Sequence, residues 1–422
     1  MKPKSSLKYI LAGLTAITVL FSFWGCTASN APPSTAATEE TIPTEPTEES
    51  IPETLPQEMI FTLSFAGDCT LGTSHDTYGR SGSFVKIVGN DYGYPFKNVV
   101  SLFEDDDFTM VNLEGTFTEY TVPAEKRFRF RAPSSYAKIL TAGNVEAVNL
   151  ANNHSYDFGE IGYADTKKAL DSEGITYVEQ AGTTTFTTSS GLKIGMFAAY
   201  NDLNVSVMQS AVSKLRSEGA ELIIVSYHWG TEGSYRPTEL QKSTAHAAID
   251  AGADIVFGHH PHVLQPIETY KDGIIYYSLG NFSFGGNTNP RDKDTAIIRQ
   301  SVIRKPDGSI CLGETQIVPC SVSSVSSRND YQPTPYKETN SKYQRVLSKL
   351  DGSFTGKDLV VNYGNSSKPS TPTTPTTSPT TEPDPSTSET TEATTVPTTV
   401  PTEPTNAPTV PDSTDDEYII PI

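Results

Sequence analysis

Three of the seven histidines in this 422-residue chain fall within four positions, in Gly258-His259-His260-Pro261-His262. Neutral imidazole is the commonest protein metal ligand near neutral pH, so a cluster this dense points first to metal binding. The residues before it, Ala253-Asp254-Ile255-Val256-Phe257, are apolar and β-branched and read as a buried strand. Open α/β sheets place their ligands at such carboxyl ends. Four other apolar runs also end in ligand-type residues. Met59–Ala66 runs into Gly67-Asp68, and Phe108–Leu113 into Glu114-Gly115 with Asn112 just before. Ala147–Leu150 runs into Asn152-Asn153-His154, and Glu221–Tyr227 into His228-Trp229-Gly230.

Carboxylates, an amide oxygen and imidazoles together suit one or two divalent ions of Zn, Mn or Fe, whereas a structural zinc site would be richer in thiolates. A carboxylate shared by two ions would let both polarise a phosphoryl oxygen and generate hydroxide near neutral pH. Taken singly, each segment has a plainer reading. Gly67-Asp68 reads as a turn, Glu114 as a surface residue, Asn152-Asn153 as turn geometry, and His228 as a core histidine with its hydrogen bonds met. Five strand ends carrying ligand types are hard to obtain from turn chemistry. The joint pattern favours a metal site, provided the strands run parallel and share one rim.

The elements that must position these residues alternate between strand and helix, as in βαβ units. Helical periodicity covers Ser134–Thr141, Gly162–Glu173, Val207–Ser217 and Glu239–Asp250. Further strands are expected at Tyr177–Glu179 and Lys193–Ala199. Ile274–Ser278, Thr295–Ile303 and Ile310–Val318 read as a later antiparallel set, and Ser341–Leu350 as a peripheral helix. Arg127, Arg129 and Arg131 alternate and share one face of an extended segment. That face could hold a carboxylate or phosphate, or be a solvated edge. His246 reads as structural and Cys69 as buried. Cys311 and Cys320 either pair as a disulfide in an exported protein or stand unpaired on neighbouring strands.

Composition divides the chain. Residues 27–58 and 365–422 are rich in Thr, Pro, Ser and Glu, with too little apolar surface to offset the entropy of ordering. Both read as extended, self-repelling spacers. They carry most of the net charge of −19, and the remaining core is mildly acidic with no basic patch, which argues against nucleic acid as a partner. One core domain is expected over 59–325, with an extension over 326–364. At the start, Lys2, Lys4 and Lys8 precede an apolar run from Tyr9 to Trp24 and then Gly25-Cys26. This resembles a bacterial lipoprotein signal over residues 1–26, with Cys26 lipid-modified; an uncleaved anchor or ordinary cleavage are the alternatives. All three place the domain outside the cytoplasmic membrane, and the first two anchor it to the outer face.

The motifs Phe65-Ala66-Gly67-Asp68-Cys69-Thr70-Leu71-Gly72, Asn112-Leu113-Glu114-Gly115 and Asn149-Leu150-Ala151-Asn152-Asn153-His154 resemble those of the bacterial capsule-synthesis CapA family. So do His228-Trp229-Gly230, Gly258-His259-His260-Pro261-His262-Val263-Leu264-Gln265 and Ser278-Leu279-Gly280-Asn281-Phe282. The resemblance spans about residues 60 to 285. It implies the calcineurin-like metallophosphoesterase superfamily, an α/β fold with a four-layer α/β/β/α sandwich of mixed sheets, and a role in poly-γ-glutamate capsule synthesis or export. By that resemblance Asp68, Glu114, Asn153, His228, His259 and His262 hold metal, and His154 is the general acid. Asn112, Asn152, Arg129, His260 and Asn281 would meet the substrate.

Two departures from the superfamily pattern stand out. The first strand ends Asp68-Cys69-Thr70 where Asp-x-His is usual. The last motif is one residue longer than Gly-His-x-His, so which two of His259, His260 and His262 bind metal stays open. Two functions follow as expectations. One is an extracytoplasmic hydrolase that uses metal-bound hydroxide on a phosphoester or a cell-envelope polymer. The other is a non-catalytic accessory factor that binds poly-γ-glutamate, an anionic polymer, in the same cleft. A membrane synthase complex is a possible partner in either case.

Overall fold

The computed structural model describes residues 57–201 and 204–360. The signal segment with Cys26, nearly all of the 27–58 linker and the 365–422 tail lie outside the described residues. Among the described residues no helix is long and apolar enough to cross a membrane.

Two mixed sheets face each other. In the first, Met59–Thr70, Phe108–Leu113, Ala147–Asn149 and Thr176–Val178 run parallel. Asp294–Arg304, Ile310–Ser321 and Thr334–Pro335 extend it antiparallel on the other side of Met59–Thr70. In the second, Lys193–Tyr200, Leu222–His228, Ile255–His259 and Gly273–Tyr276 run parallel, flanked by antiparallel Thr183–Thr187 and Ile267–Tyr270. The strand expected at Ile274–Ser278 therefore belongs to the second sheet, not to the late antiparallel set. The expected single rim is also corrected: the five ligand-bearing strands are divided between the two sheets.

Side-chain alternation along each strand builds four layers. Phe61, Leu63, Phe65 and Met110 of the first sheet pack with Ile194, Leu222, Ile224 and Phe257 of the second between the sheets. On the first sheet's outer face, Val111 and Val148 are covered by Phe84, Leu140 and Leu170. On the second, Ile223, Val225 and Val256 are covered by Met208, Leu215 and Ala248 from the helices Val205–Ser217 and Glu239–Asp250. This is the four-layer α/β/β/α sandwich of a metallo-dependent phosphatase-like fold. The segment expected to be helical at Ser134–Thr141 is a 3₁₀ turn at Ser134–Ala137 followed by a short helix, Lys138–Ala142.

One irregularity in the first strand matters for chemistry. Phe65 pairs with Met110, but Asp68 pairs with Asn112, so one extra residue sits on the Met59–Thr70 side. Strict alternation would put Asp68 on the face of Ala66, against the helices. The bulge turns it to the inner face beside Asn112. Gly67 makes the bulge possible, since a Cβ there would lie 1.9 Å from the Gly280 carbonyl oxygen.

The cysteine expectation is also corrected. Cys311 and Cys320 lie near opposite ends of one strand, Ile310–Ser321, and both are free thiols. Nine residues at ~3.3 Å each separate them by roughly 30 Å, far beyond disulfide reach.

The carboxyl-terminal extension docks onto the sandwich. Val346 and Leu350 of the helix Ser341–Leu350 enter the intersheet core, and buried Lys349 pairs with Asp292 at 2.6 Å and Asp294 at 2.9 Å. The chain then crosses the loop after His228: Leu359 N donates to Gly233 O at 2.8 Å, and Asp358 accepts from Tyr235 N at 3.0 Å.

Candidate metal centre

The inner-face positions at the carboxyl ends of both sheets converge on one buried polar cluster. His228 and His259 are register partners on adjacent strands of the second sheet. His259 Nδ1 reaches across to within 3.2 Å of Asp68 Oδ1. His262 lies between two carboxylates, with Nδ1 3.2 Å from Asp68 Oδ2 and Nε2 3.6 Å from Glu114 Oε1. His228 Nε2 and His154 Nε2 approach the same Glu114 oxygen at 3.7 and 3.9 Å. Asp68 and Glu114 are wholly buried, as is His228.

The expected amides brace this cluster. Asn112 donates to Asp68 Oδ1 at 2.9 Å and accepts from Asn152 at 3.0 Å. Asn152 also donates to Leu113 O and accepts from His154 N. Asn281 Oδ1 lies 2.9 Å from His262 Nδ1, and Asn153 Oδ1 lies 3.0 Å from His228 Nε2. His260 Nδ1 is 3.0 Å from the same His228 nitrogen, and its backbone N–H donates to Asp68 Oδ2 at 3.3 Å. Arg129 turns elsewhere: its guanidinium binds Asp76 at 2.8 Å and the Lys126 carbonyl. Outside the cluster, His246 lies 2.8 Å from Glu268 and stacks on Tyr270.

Charge and burial set the proton affinities. Burial raises the Glu114 carboxyl well above its usual range, partly opposed by His262. Burial works in the same direction on Asp68, but the adjacent imidazoles of His259 and His262 outweigh it and hold Asp68 well below that range. On His262 burial opposes the proton, yet Glu114 and Asp68 prevail and lift it to about 10. Burial pulls His154 down to about 4 against the pull of Asp157.

The donor chemistry fits a divalent cation. Both carboxylate oxygens of Glu114 and both ring nitrogens of His259 are buried without a hydrogen-bond partner. Leaving one such polar atom unsatisfied costs ~1–3 kcal/mol. A cation placed among them would satisfy Glu114 and one ring nitrogen of His259, and Asp68, Glu114 and His262 already present donor atoms within 4.8 Å of one another.

Three residues escaped the sequence reading. Asp157 holds His154 Nδ1 with both oxygens, at 2.8 and 3.0 Å. Lys126 binds Asp157 in turn. Glu232 is 3% exposed and groups with His260 and His262. The spacings His154-x-x-Asp157 and His228-x-x-x-Glu232 were the available signals.

An α/β/β/α sandwich with a buried carboxylate–imidazole cluster between its sheets defines the class as metallo-dependent phosphatase-like. Within that class, this chain belongs to the bacterial capsule synthesis protein PGA_cap family, which it matches over residues 62–286. It is 30% identical over 329 residues to the PGA biosynthesis protein CapA of Bacillus subtilis, covering 71% of this chain and 80% of that one. It is 30% identical over 269 residues to the capsule biosynthesis protein CapA of Bacillus anthracis, covering 56% of this chain and 63% of that protein. A probable polyglutamine synthesis accessory protein of Mycobacterium tuberculosis is 27% identical over 231 residues, covering 45% of this chain and 60% of its own.

Proposed function

We propose that this chain acts in poly-γ-glutamate capsule synthesis as a divalent-metal-dependent hydrolase of a phosphoester or of an amide or ester bond in an anionic envelope polymer. The observation that carries this reading is the set of unsatisfied buried donor atoms on Glu114 and His259, set among Asp68, His228 and His262. The names of the Bacillus relatives support the capsule assignment. Asp68, Glu114, Asn153, His228, His259 and His262 would hold the metal. Zn, Mn or Fe bound there would polarise the scissile bond and lower the pKa of a water.

His154 supplies the proton transfer. Its Nδ1–H is held by Asp157, so Nε2 faces Glu114 and the cluster. The carboxylate behind the ring favours its protonated form, but burial outweighs it and holds the ring at about 4. An anionic substrate facing Nε2 is what would raise its proton affinity enough for it to act as the acid. Nε2 then gives its proton to the leaving oxygen or nitrogen. Asn153 and His260 are only half-buried and mark the approach from solvent. A groove of about 330 Å³ lined by Asn201, His228, Trp229, Thr231, Thr238 and Gln241 leads up to His228 and offers amide and hydroxyl donors to a carboxylate-bearing chain.

The domain works outside the cytoplasmic membrane, tethered through Cys26. The test of the tether is fractionation: Cys26→Ser shifts the protein from the membrane to the soluble exported fraction. The test of the activity is turnover of a generic phosphodiester and of poly-γ-glutamate before and after EDTA. Loss on chelation and recovery with Mn²⁺ or Zn²⁺ supports the hydrolase.

A second reading is a non-catalytic factor that binds the polymer in the same cleft. Thr70, a weak ligand two residues beyond Asp68, and the accessory role in the Mycobacterium relative's name favour it. Polymer binding that survives EDTA, with no turnover under any metal, decides for this reading.

A further inference from the structure

We infer that Lys126 reads a carboxylate carried on the carbon next to the departing nitrogen, and so directs the site to amide bonds whose leaving amine is an α-amino acid. The inference rests on the hydrolase reading above and narrows its substrate to that class.

The loop that carries Lys126 is clamped on Asp157 at both ends. Ala124 N donates to Asp157 O at 2.9 Å, and Phe130 N donates to Asp157 Oδ2 at 2.5 Å. Arg129, bound to Asp76 at 2.8 Å and to the Lys126 carbonyl, ties the turn between them. From this loop the Lys126 ammonium donates to Asp157 Oδ1 and, at 2.5 Å, to the Asn153 carbonyl. His154 Nδ1 lies 3.0 Å from the same Asp157 Oδ1. The ammonium and the imidazole therefore stand within two hydrogen-bond lengths of each other, across one oxygen.

A lysine ammonium has three N–H donors. Asp157 and Asn153 take two of them. The side chain is 20% exposed beside half-buried Asn153, which leaves the third donor to a ligand entering past Asn153. Asn153 Oδ1 reaches His228 at 3.0 Å, so Lys126 stands on the His154 side of the centre and the groove ends on the His228 side. No lysine or arginine lines that groove, and Lys126 supplies the cation where the leaving group departs.

In a γ-linked glutamate chain the amide nitrogen is bonded to the carbon that bears the α-carboxylate. When His154 Nε2 faces that nitrogen, the carboxylate comes within reach of the long, flexible Lys126 stem. Hydrolysis breaks the C–N bond. Water gives its hydroxyl to the acyl carbon, and its remaining proton replaces the one that His154 passes to nitrogen. An alkyl phosphoester carries its charge on the reacting atom and offers Lys126 no such group.

The test is kcat/KM of the full chain with saturating Mn²⁺ on poly-γ-glutamate and on the same polymer with its α-carboxylates converted to carboxamides. A generic phosphodiester is assayed beside them. Wild type, Lys126→Met and Lys126→Arg are first matched for metal content and circular dichroism. Wild type is expected to prefer the carboxylate polymer by about tenfold or more, with Lys126→Arg keeping that preference to within about threefold and Lys126→Met bringing it near parity. The wild-type comparison holds even where a variant fails to fold. A Lys126→Met chain that loses activity on both polymers alike, with its preference intact, overturns the inference and leaves Lys126 as a support for Asp157. So does a wild type that lacks the preference or cleaves the phosphodiester alone, an outcome that keeps the hydrolase reading. No turnover of any of the three substrates overturns that reading itself.

Discussion

Asp157 grips the His154 imidazole with both carboxylate oxygens, at 2.8 and 3.0 Å from Nδ1, and fixes which ring nitrogen faces Glu114. Asp157→Asn keeps the shape but removes the charge that favours the protonated ring. Hydrolysis is expected to fall ~10²–10⁴-fold with metal content unchanged, a loss of the size seen when a general acid or its orienting carboxylate is lost. Asp157 also accepts from Phe130 N at 2.5 Å and binds Lys126, so the variant should lose ~1–3 kcal/mol of stability. Turnover with elemental analysis on the same sample separates the two effects. Full activity with normal metal would remove His154 from the chemistry.

Glu114→Gln gives opposite signs with and without metal. In the stripped chain, Glu114 is a buried carboxyl whose oxygens have no hydrogen-bond donor, and burial has raised its proton affinity. Replacing it with a neutral amide should leave the stripped chain as stable as wild type or up to ~1–3 kcal/mol more stable. With saturating Mn²⁺ the order reverses, because only wild type gains the full binding energy. Thermal melts in EDTA and in Mn²⁺ read both; a variant less stable in EDTA would assign Glu114 an apo-state structural role instead.

Gly67→Ala tests the bulge that aims Asp68. Its Cβ would meet the Gly280 carbonyl at 1.9 Å and displace the bond from Asp68 N to Gly280 O, now 2.8 Å. Overpacking of this kind costs ~1–3 kcal/mol. Because the shift falls on the residue before Asp68, metal affinity should fall with stability. A destabilised variant with unchanged Mn²⁺ affinity would show that Asp68 placement tolerates the strain.

Glu146 and Asp106, away from the metal centre, set a pH dependence of stability. Burial lifts Glu146 to about 7 and Asp106 to about 6, although each accepts a bond from Thr109 at 2.7 Å. Both folded values lie above the unfolded ones near 4.5 and 3.8. The folded chain therefore binds these protons more tightly. That stabilisation is full below the unfolded values and is lost as pH rises through about 6 to about 7. Glu146→Gln removes one share of it, so its stability relative to wild type should rise between pH 5 and pH 7.5. Melting curves at the two pH values check this, and a constant offset contradicts it.

Much of the site was legible because apolar strands end where their polar residues begin. That rule located Asp68, Glu114, Asn153, His154, His228 and His259 without any knowledge of pairing. It could not show that the strands belong to two sheets, because hydrophobic runs carry no record of which neighbour they bond. Gly273–Tyr276 was misplaced for the same reason. Arg129 alternates with its neighbours as a strand face would, yet only Phe130–Ala132 is a strand, and the partner that claims Arg129, Asp76, is distant in sequence. Glu232 stayed hidden because it lies in a loop whose place depends on Gly230 and on residues more than a hundred positions later.

Elemental analysis of the purified full chain, before and after EDTA and paired with a hydrolysis assay, tests the central claim most directly. The account predicts stoichiometric Zn, Mn or Fe in the untreated protein and loss of hydrolysis with the metal, restored on reloading. A metal-free protein that still hydrolyses its substrate, or that binds poly-γ-glutamate but never hydrolyses it whichever of these metals is supplied, would contradict it.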